Sequence, residues 1–263
     1  MNAVNSETVL ITGASSGIGL ELAKCFAADG CRLILVARNR DALEKLAGEL
    51  RQKNKIEAIV FPADLSLPAT PKRLLEKLSA QKISVDVLVN NAGFGANGAF
   101  AEIPLQTQME MLQVNITALT ELTGLFLPGM IQRKRGGILN VGSVAGFVPG
   151  PGMAVYYATK AFVLSFTEAL AEELQGSGLT MSVLCPGPTE SNFGNIARGK
   201  KVRQMKTGKM SAVAVAVYGH MAFRSGKVTA VSGIQNKAFV FLNRILPRQF
   251  PRKMVKFYNR TTD

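Results

Sequence analysis

The chain has no tryptophan, one histidine and three cysteines in 263 residues. A lone His220 rules out a multi-histidine metal site. Cys25, Cys31 and Cys185 form an odd set without metal-ligand spacing, which excludes a disulfide scaffold and a zinc site and fits a reducing, cytoplasmic setting. Acidic residues are missing only locally. No Asp or Glu lies between Ser191 and Thr262, where 15 of the 31 Lys and Arg fall. The formal charge of +13 therefore belongs to the last quarter of the chain. Charge alone does not make a nucleic-acid binder, and neither an aromatic-interleaved basic sheet nor a recognition motif accompanies it. No basic, apolar leader opens the sequence. Apolar stretches such as Ser211–Phe223 are too short to span a bilayer, so a soluble protein is expected.

What is present is enough apolar material for a core: 47% of residues are hydrophobic and 19% charged, which excludes disorder. Short apolar runs bounded by Gly, Pro, Asp or Asn read as buried strands at Val9–Ile11, Leu33–Val36, Ala58–Phe61, Val85–Val89, Gly137–Val141 and Met181–Leu184. Helical patterns separate them at Gly19–Ala28, Arg40–Gln52, Thr70–Ala80, Leu105–Met130 and Tyr156–Gln175. Strands that do not alternate, joined by helices, predict an α/β fold with a doubly wound parallel sheet covered on both faces. The expected division is one catalytic domain over residues 1–233 and a basic C-terminal extension over 234–263. A polar basic loop is expected over Gly199–Lys209, a helix over Ser211–Phe223 and a last strand over Val228–Val231.

The first strand runs into Thr12-Gly13-Ala14-Ser15-Ser16-Gly17-Ile18-Gly19 and then a helix. Glycines there let the backbone bend sharply and approach a pyrophosphate, which the free N–H groups of the helix start would bind. A tight turn without a ligand would use the same residues. The second strand ends in Ala37-Arg38, where an NAD site usually carries an acid for the ribose hydroxyls. The Arg38 guanidinium can instead hold a 2′-phosphate, so NADP is favoured and NAD stays open. A solvated arginine opening a helix is the other reading.

Carbonyl reduction needs hydride delivered to carbon and a proton for the developing alkoxide. Tyr156 can supply that proton if its pKa, ordinarily about 10, is brought toward neutrality. Lys160 lies one helical turn later on the same face, where its ammonium would favour the phenolate. Ser143 can donate a hydrogen bond to the carbonyl oxygen. Tyr157 lacks such a lysine and reads as packing, as does His220. Taken alone, Tyr156 would also pass for core and Asn115 for a polar residue distorting its helix.

These residues fall in a sequence of motifs: Thr12–Gly19, Asp64-Leu65, Asn90-Asn91-Ala92-Gly93, Asn115, Ser143, Tyr156-x-x-x-Lys160 and Pro186-Gly187-Pro188-Thr189. From about Val9 to Thr189 the chain resembles the short-chain dehydrogenases/reductases, nearer the ketoacyl and hydroxysteroid reductase branch. That resemblance implies a Rossmann-type fold and further roles. Lys160 would hold the nicotinamide ribose and Asn115 would orient a water in a proton relay. Asp64 and Leu65 would sit by the adenine, and Asn91, Ala92 and Gly93 beside its ribose. Pro186, Gly187 and Thr189 would flank the nicotinamide, with Thr189 on the carboxamide. A homodimer is expected, and the chain departs from a typical ketoacyl-carrier reductase by continuing thirty residues past Gly233.

The expected activity is NADP(H)-dependent reduction of a hydrophobic ketone or 3-oxoacyl group, as a free carbonyl or a coenzyme A or acyl-carrier thioester. A non-catalytic nucleotide-binding regulator of the same fold and an NAD-dependent alcohol or hydroxysteroid dehydrogenase are the alternatives. A lid is expected over Glu190–Met210 with Phe193, Ile196 and Met205 facing substrate, and Phe94, Phe147 and Val148 are expected in the pocket wall. In the tail, Phe239, Leu242, Ile245 and Leu246 fall near helical spacing with Arg244 and Arg248. Phe250, Met254, Phe257 and Tyr258 follow against Arg252, Lys253, Lys256 and Arg260. Such segments can pack on the domain or a partner subunit, hold an acidic carrier or a coenzyme A phosphate, or lie on an anionic membrane.

Overall fold

The computed structural model describes residues 7–190, 198–199 and 209–259. Seven parallel strands form one sheet: β1 (Thr8–Thr12), β2 (Arg32–Ala37), β3 (Ala58–Pro62), β4 (Val87–Asn90), β5 (Gly137–Val141), β6 (Thr180–Cys185) and β7 (Thr229–Val231), in the order 7-6-5-4-1-2-3. The central strands are buried along their whole length, as expected of a sheet covered on both faces. The chain winds outward from β1 to β3, then returns to β4 on the other side of β1. The crevice at that reversal is where open α/β sheets bind ligands.

On one face lie α1 (Gly17–Ala28), α2 (Arg40–Asn54) and, later in the chain, the helix Ala212–Arg224. Leu22, Phe26, Leu43, Leu46, Val215 and Phe223 pack there against Val9, Ile11, Leu33 and Leu35. The other face is covered by α3 (Thr70–Ala80), α4 (Leu105–Leu112), α5 (Ala118–Arg133) and α6 (Ala154–Glu173). There Leu74, Leu122, Phe126 and Met130 meet Leu10, Ile34, Leu88 and Ile138. Ala212–Arg224 is α7; its N-cap Ser211 accepts the Ala214 N–H at 3.1 Å.

Short strands unexpected from the sequence pair Thr189–Glu190 with Met210–Ser211. Each strand and helix expected from the sequence is present to within a few residues, with one instructive difference. The long pattern Leu105–Met130 is not one regular helix. A π-helical turn, Gln113–Thr117, joins α4 to α5 and puts buried Asn115 at its centre. The same 29-residue stretch, Leu105–Arg133, is also long and apolar enough to cross a membrane, contrary to the expectation that the apolar stretches are too short. Its α5 portion lies on the sheet, with Ala118, Leu122, Phe126 and Met130 in the core.

Past β7 the chain forms two further helices, α8 (Ile234–Ile245) and α9 (Gln249–Tyr258). Val240 packs on the cluster that holds Val163 and Val183, and Gly187 approaches Asn236 so closely that a Cβ at Gly187 would overlap the amide. At the other end, Asn259 Nδ2 donates to the Pro151 carbonyl at 3.0 Å. Phe193, Ile196, Met205 and most of the expected basic loop lie outside the described residues. Arg198–Gly199 pairs in parallel with Ala96–Asn97.

Candidate active site

The C-terminal ends of β1, β2, β4, β5 and β6 open into a cleft of about 700 Å³. At one end, Gly13 and Gly17 adopt φ of +66° and +56°, the left-handed region that a side chain would strain. Gly13 also lies under Asn91, so a Cβ there would meet the amide at 2.7 Å. The turn is locked from below. Thr12 Oγ1 accepts the N–H groups of Asn91 and Ala92, both at 3.0 Å, and Asn91 Nδ2 donates to the Thr12 carbonyl at 2.9 Å. Ser16, at the N-cap of α1, makes no side-chain cap bond, so the first N–H groups of the helix face the cleft without that competitor. This is the geometry of an anion cradle.

Of the residues expected to hold a cofactor, Gly13, Ser15, Ser16, Gly17, Ile18, Arg38, Asp64, Leu65, Asn91, Ala92, Gly93, Tyr156, Lys160, Pro186, Gly187 and Thr189 all line the cleft. Gly19 does not. A Cβ on it would strike Asn91 Nδ2 at 2.3 Å and the Gly13 carbonyl at 2.4 Å, so its part is to let α1 pack tightly behind the turn. Arg38 is exposed on the rim at the end of β2. Asp64 does two things: it lines the cleft, and its carboxylate caps its own turn by accepting the Ser66 N–H at 2.9 Å.

At the opposite end three side chains converge. Ser143 follows β5, and its Oγ accepts the Ala145 N–H at 3.1 Å. Tyr156 and Lys160 project from the first turns of α6. The Tyr156 and Ser143 side chains are hydrogen-bonded to one another, yet burial outweighs that bond and holds the phenol above its ordinary range, the reverse of the lowering expected from the sequence. Lys160 is 6% exposed and donates through Nζ to the Val141 carbonyl at 2.8 Å. Its Nζ stands 5.9 Å from the Tyr156 ring centre. Burial brings its ammonium down to about 8. Behind Ser143, burial raises the Cys185 thiol to about 12, which keeps it a neutral packing group.

Asn115 lies behind the cleft wall. Its Oδ1 accepts the Phe94 N–H at 3.1 Å, and its Nδ2 donates to the Phe94 carbonyl at 3.0 Å and to Thr159 Oγ1 at 3.1 Å. Both amide hydrogens are thus spent on protein, so the side chain fastens the Gly93–Phe94 backbone to α6. Phe94 lines the cleft as expected, but Phe147 packs on the Val163 cluster and Val148 is buried away from the cleft. The wall is shared by Val114, Val144, Met153 and Tyr157, with Asn97 and Glu110 as its polar members. Tyr157, read from the sequence as packing, is also hydrogen-bonded to the Asn259 side chain. Nothing in its local sequence signals that partner, which lies 102 residues downstream.

Comparison with known proteins fits this geometry. The model of the family described as short chain dehydrogenase matches residues 7–201. A ketoacyl reductase, HetN, of Nostoc sp. is 34% identical over 187 residues, 71% of this chain and 65% of its own length. A very-long-chain 3-oxoacyl-CoA reductase of Coprinopsis cinerea is 37% identical over 172 residues, 65% of this chain and 51% of its own. The chain thus spans between half and two thirds of the length of these curated relatives. Among solved structures, a short-chain dehydrogenase from Sphingobium yanoikuyae in complex with NADPH is 31% identical with a TM-score of 0.81, covering 92% of this chain and 96% of its own. One from Burkholderia phymatum in complex with NAD is 26% identical with a TM-score of 0.81, covering 100% and 99%. By the extent of the family match and the sheet that carries it, this chain belongs to the short-chain dehydrogenase family.

Proposed function

We propose that the chain is an NADP(H)-dependent reductase of a hydrophobic ketone or 3-oxoacyl thioester. The observation that carries the reading is the Tyr156 hydroxyl, buried and bonded to Ser143, with Lys160 one turn along and a glycine-lined anion cradle at the far end of the same cleft. The residues fit a dinucleotide: Gly13 and Gly17 leave room for phosphates, α1 offers its N-terminus, and Arg38, exposed on the rim after β2, could reach a 2′-phosphate. When bound, the reduced nicotinamide supplies the hydride.

The chain's own groups handle the proton and the charge. Ser143 hydrogen-bonds the carbonyl oxygen as negative charge builds there. Tyr156 donates its proton to that oxygen. A phenol kept neutral by burial is poised as an acid, because the alkoxide it meets is more basic than any phenolate. Lys160 then stabilises the phenolate left behind. Asn115 keeps the Phe94 backbone against α6, which fixes the cleft wall opposite Tyr156. The apolar wall residues Phe94, Val114, Val144 and Met153 favour an apolar substituent, while Asn97 and Glu110 leave polar groups within the same cleft.

The thioester reading is supported by the names of the ketoacyl and 3-oxoacyl-CoA reductase relatives, and the NADP reading by Arg38 and the NADPH-bound neighbour. The NAD-bound neighbour favours a second reading, an NAD-dependent dehydrogenase working toward the ketone. Oxidation would run the same proton transfer in reverse, with Tyr156 as the base and Lys160 stabilising its phenolate. The test is Tyr156→Phe, followed by NADPH absorbance over a panel of ketones and 3-oxoacyl thioesters. Turnover is expected to fall by roughly a thousandfold or more with NADPH binding retained. Near-normal turnover would remove the mechanism.

A further inference from the structure

We propose that α8 and α9 together form a docking surface for an anionic lipid bilayer, lying flat on it with their apolar stripes in the headgroup boundary. This inference stands on the tail itself and does not depend on which carbonyl the cleft accepts. Most amphipathic helices turn the apolar stripe inward; these two turn it out. On α8 the exposed apolar residues are Ile234, Phe241, Leu242 and Ile245, with relative exposures of 79, 63, 47 and 64%. Spaced i, i+7, i+8 and i+11, they share one face. The packed positions, Asn236 against Gly187 and Val240 on the core, lie on the opposite side.

In α9 the same arrangement recurs. Phe250, Met254, Phe257 and Tyr258 are 59, 41, 54 and 46% exposed at spacing i, i+4, i+7 and i+8, again one face. Pro251 and Val255 are the buried residues of that helix. Arg252, Lys253 and Lys256 fill the remaining, exposed arc, as Lys237 and Arg244 do on α8. Eight large apolar side chains flanked by cations, without a single acid from Ser191 to Thr262, match an interface of phospholipid tails under anionic headgroups.

Charge complementarity also chooses among occupants. A second copy laid on this face would bring two acid-free basic surfaces together and repel. An acidic carrier protein would answer the cations but leave the apolar stripes to find a matching groove. A bilayer satisfies both at once. The surface is tied to the cleft by direct contacts: Asn259 bonds the Pro151 carbonyl and Tyr157, and Asn236 sits against Gly187. A membrane-docked chain would therefore hold its cleft at a set distance from the lipid.

Because the chain has no tryptophan, Phe250→Trp places a single reporter at the apolar stripe of α9. With vesicles of phosphatidylcholine and phosphatidylglycerol its emission is expected to shift to the blue and to be quenched by brominated acyl chains, corresponding to a depth of roughly 5–10 Å. In sedimentation with the same vesicles, the wild-type chain is expected to bind, and raising salt from about 0.1 to 0.5 M to weaken that binding. Arg252→Gln/Lys253→Gln/Lys256→Gln should lower the partition coefficient roughly a hundredfold. Phe241→Ser/Phe250→Ser/Phe257→Ser should abolish it, with thermal unfolding and NADPH binding unchanged in both variants. No blue shift and no sedimentation of the wild type would overturn the proposal. So would a dimer that the serine variant splits into monomers, or tight binding to a purified acyl carrier protein without affinity for vesicles.

Discussion

Replacing Lys160 by methionine should make the protein slightly more stable near neutral pH while ending its turnover, and the gain should turn into a loss in alkali. In the fold the ammonium is 6% exposed, donates to the Val141 carbonyl at 2.8 Å, and is brought from 10.5 down to about 8 by desolvation. At about 1.4 kcal/mol for each pH unit, that difference is a folding penalty of about 3 kcal/mol. The sign follows from the direction. Below about pH 8 the lysine is protonated in both states and the full penalty applies. Between there and 10.5 the unfolded chain holds a proton that the folded chain has released, so stability rises with pH. Above 10.5 both states are neutral and the penalty is gone.

Lys160→Met keeps the volume of the stem and removes the charge. It forfeits the charge-assisted bond to Val141, worth about 2 kcal/mol, so the net gain at pH 7 is about 1 kcal/mol. Urea unfolding followed by circular dichroism at pH 7 and 10.5 measures it. The decisive quantity is the difference between variant and wild type, from which every group that does not sense Lys160 cancels; Cys185, which does, is held at about 12, above the interval. That difference should fall by about 3 kcal/mol across the interval. A difference constant to about 0.5 kcal/mol, or a variant less stable at pH 7, would refute the reasoning that Lys160 is held at a cost for its chemistry.

Arg38→Asp should weaken NADPH binding by roughly 10- to 100-fold and improve NADH binding, read by cofactor fluorescence, because one charge-assisted phosphate contact is exchanged for a repulsive carboxylate. Asn115→Ala should cost about 2–3 kcal/mol in urea unfolding, since it leaves the Phe94 backbone and Thr159 without their buried partner, and should lower kcat more than it raises KM. Asp86→Ala, far from the cleft, should cost about 3 kcal/mol with turnover unchanged. Its carboxylate is buried, accepts the Thr8 N–H at 3.0 Å and meets Arg135 at 3.2 Å.

The strands were legible because each is a short apolar run between turn residues, and a buried parallel sheet imposes that pattern. The site was legible for a related reason. Strand ends recur at regular places in the chain, so Gly13, Asn91, Ser143 and Pro186 mark the crevice before any coordinates are known. What escaped was decided across long separations. Asn115 reads as a polar residue in a helix, and only the π-turn and the nearness of Phe94 show it as a clamp. Phe147 and Val148 sit in the loop after the strand, as a pocket wall would, yet their side chains turn to the core.

The sequence by itself determined the order of strands and helices, the glycine cradle, the Tyr156–Lys160 pair and the location of the excess charge, because each is written in spacing or local composition. Tertiary structure alone decided how buried those groups are, and hence that Lys160 is lowered and Tyr156 raised. It also decided the polar string from Asn90 through Asn140 to Thr167, with bonds of 3.0 and 2.9 Å, and which side of α8 and α9 faces outward. Periodicity says that a helix has two faces. Which of them meets solvent depends on what the rest of the chain leaves uncovered, and here it left the apolar one.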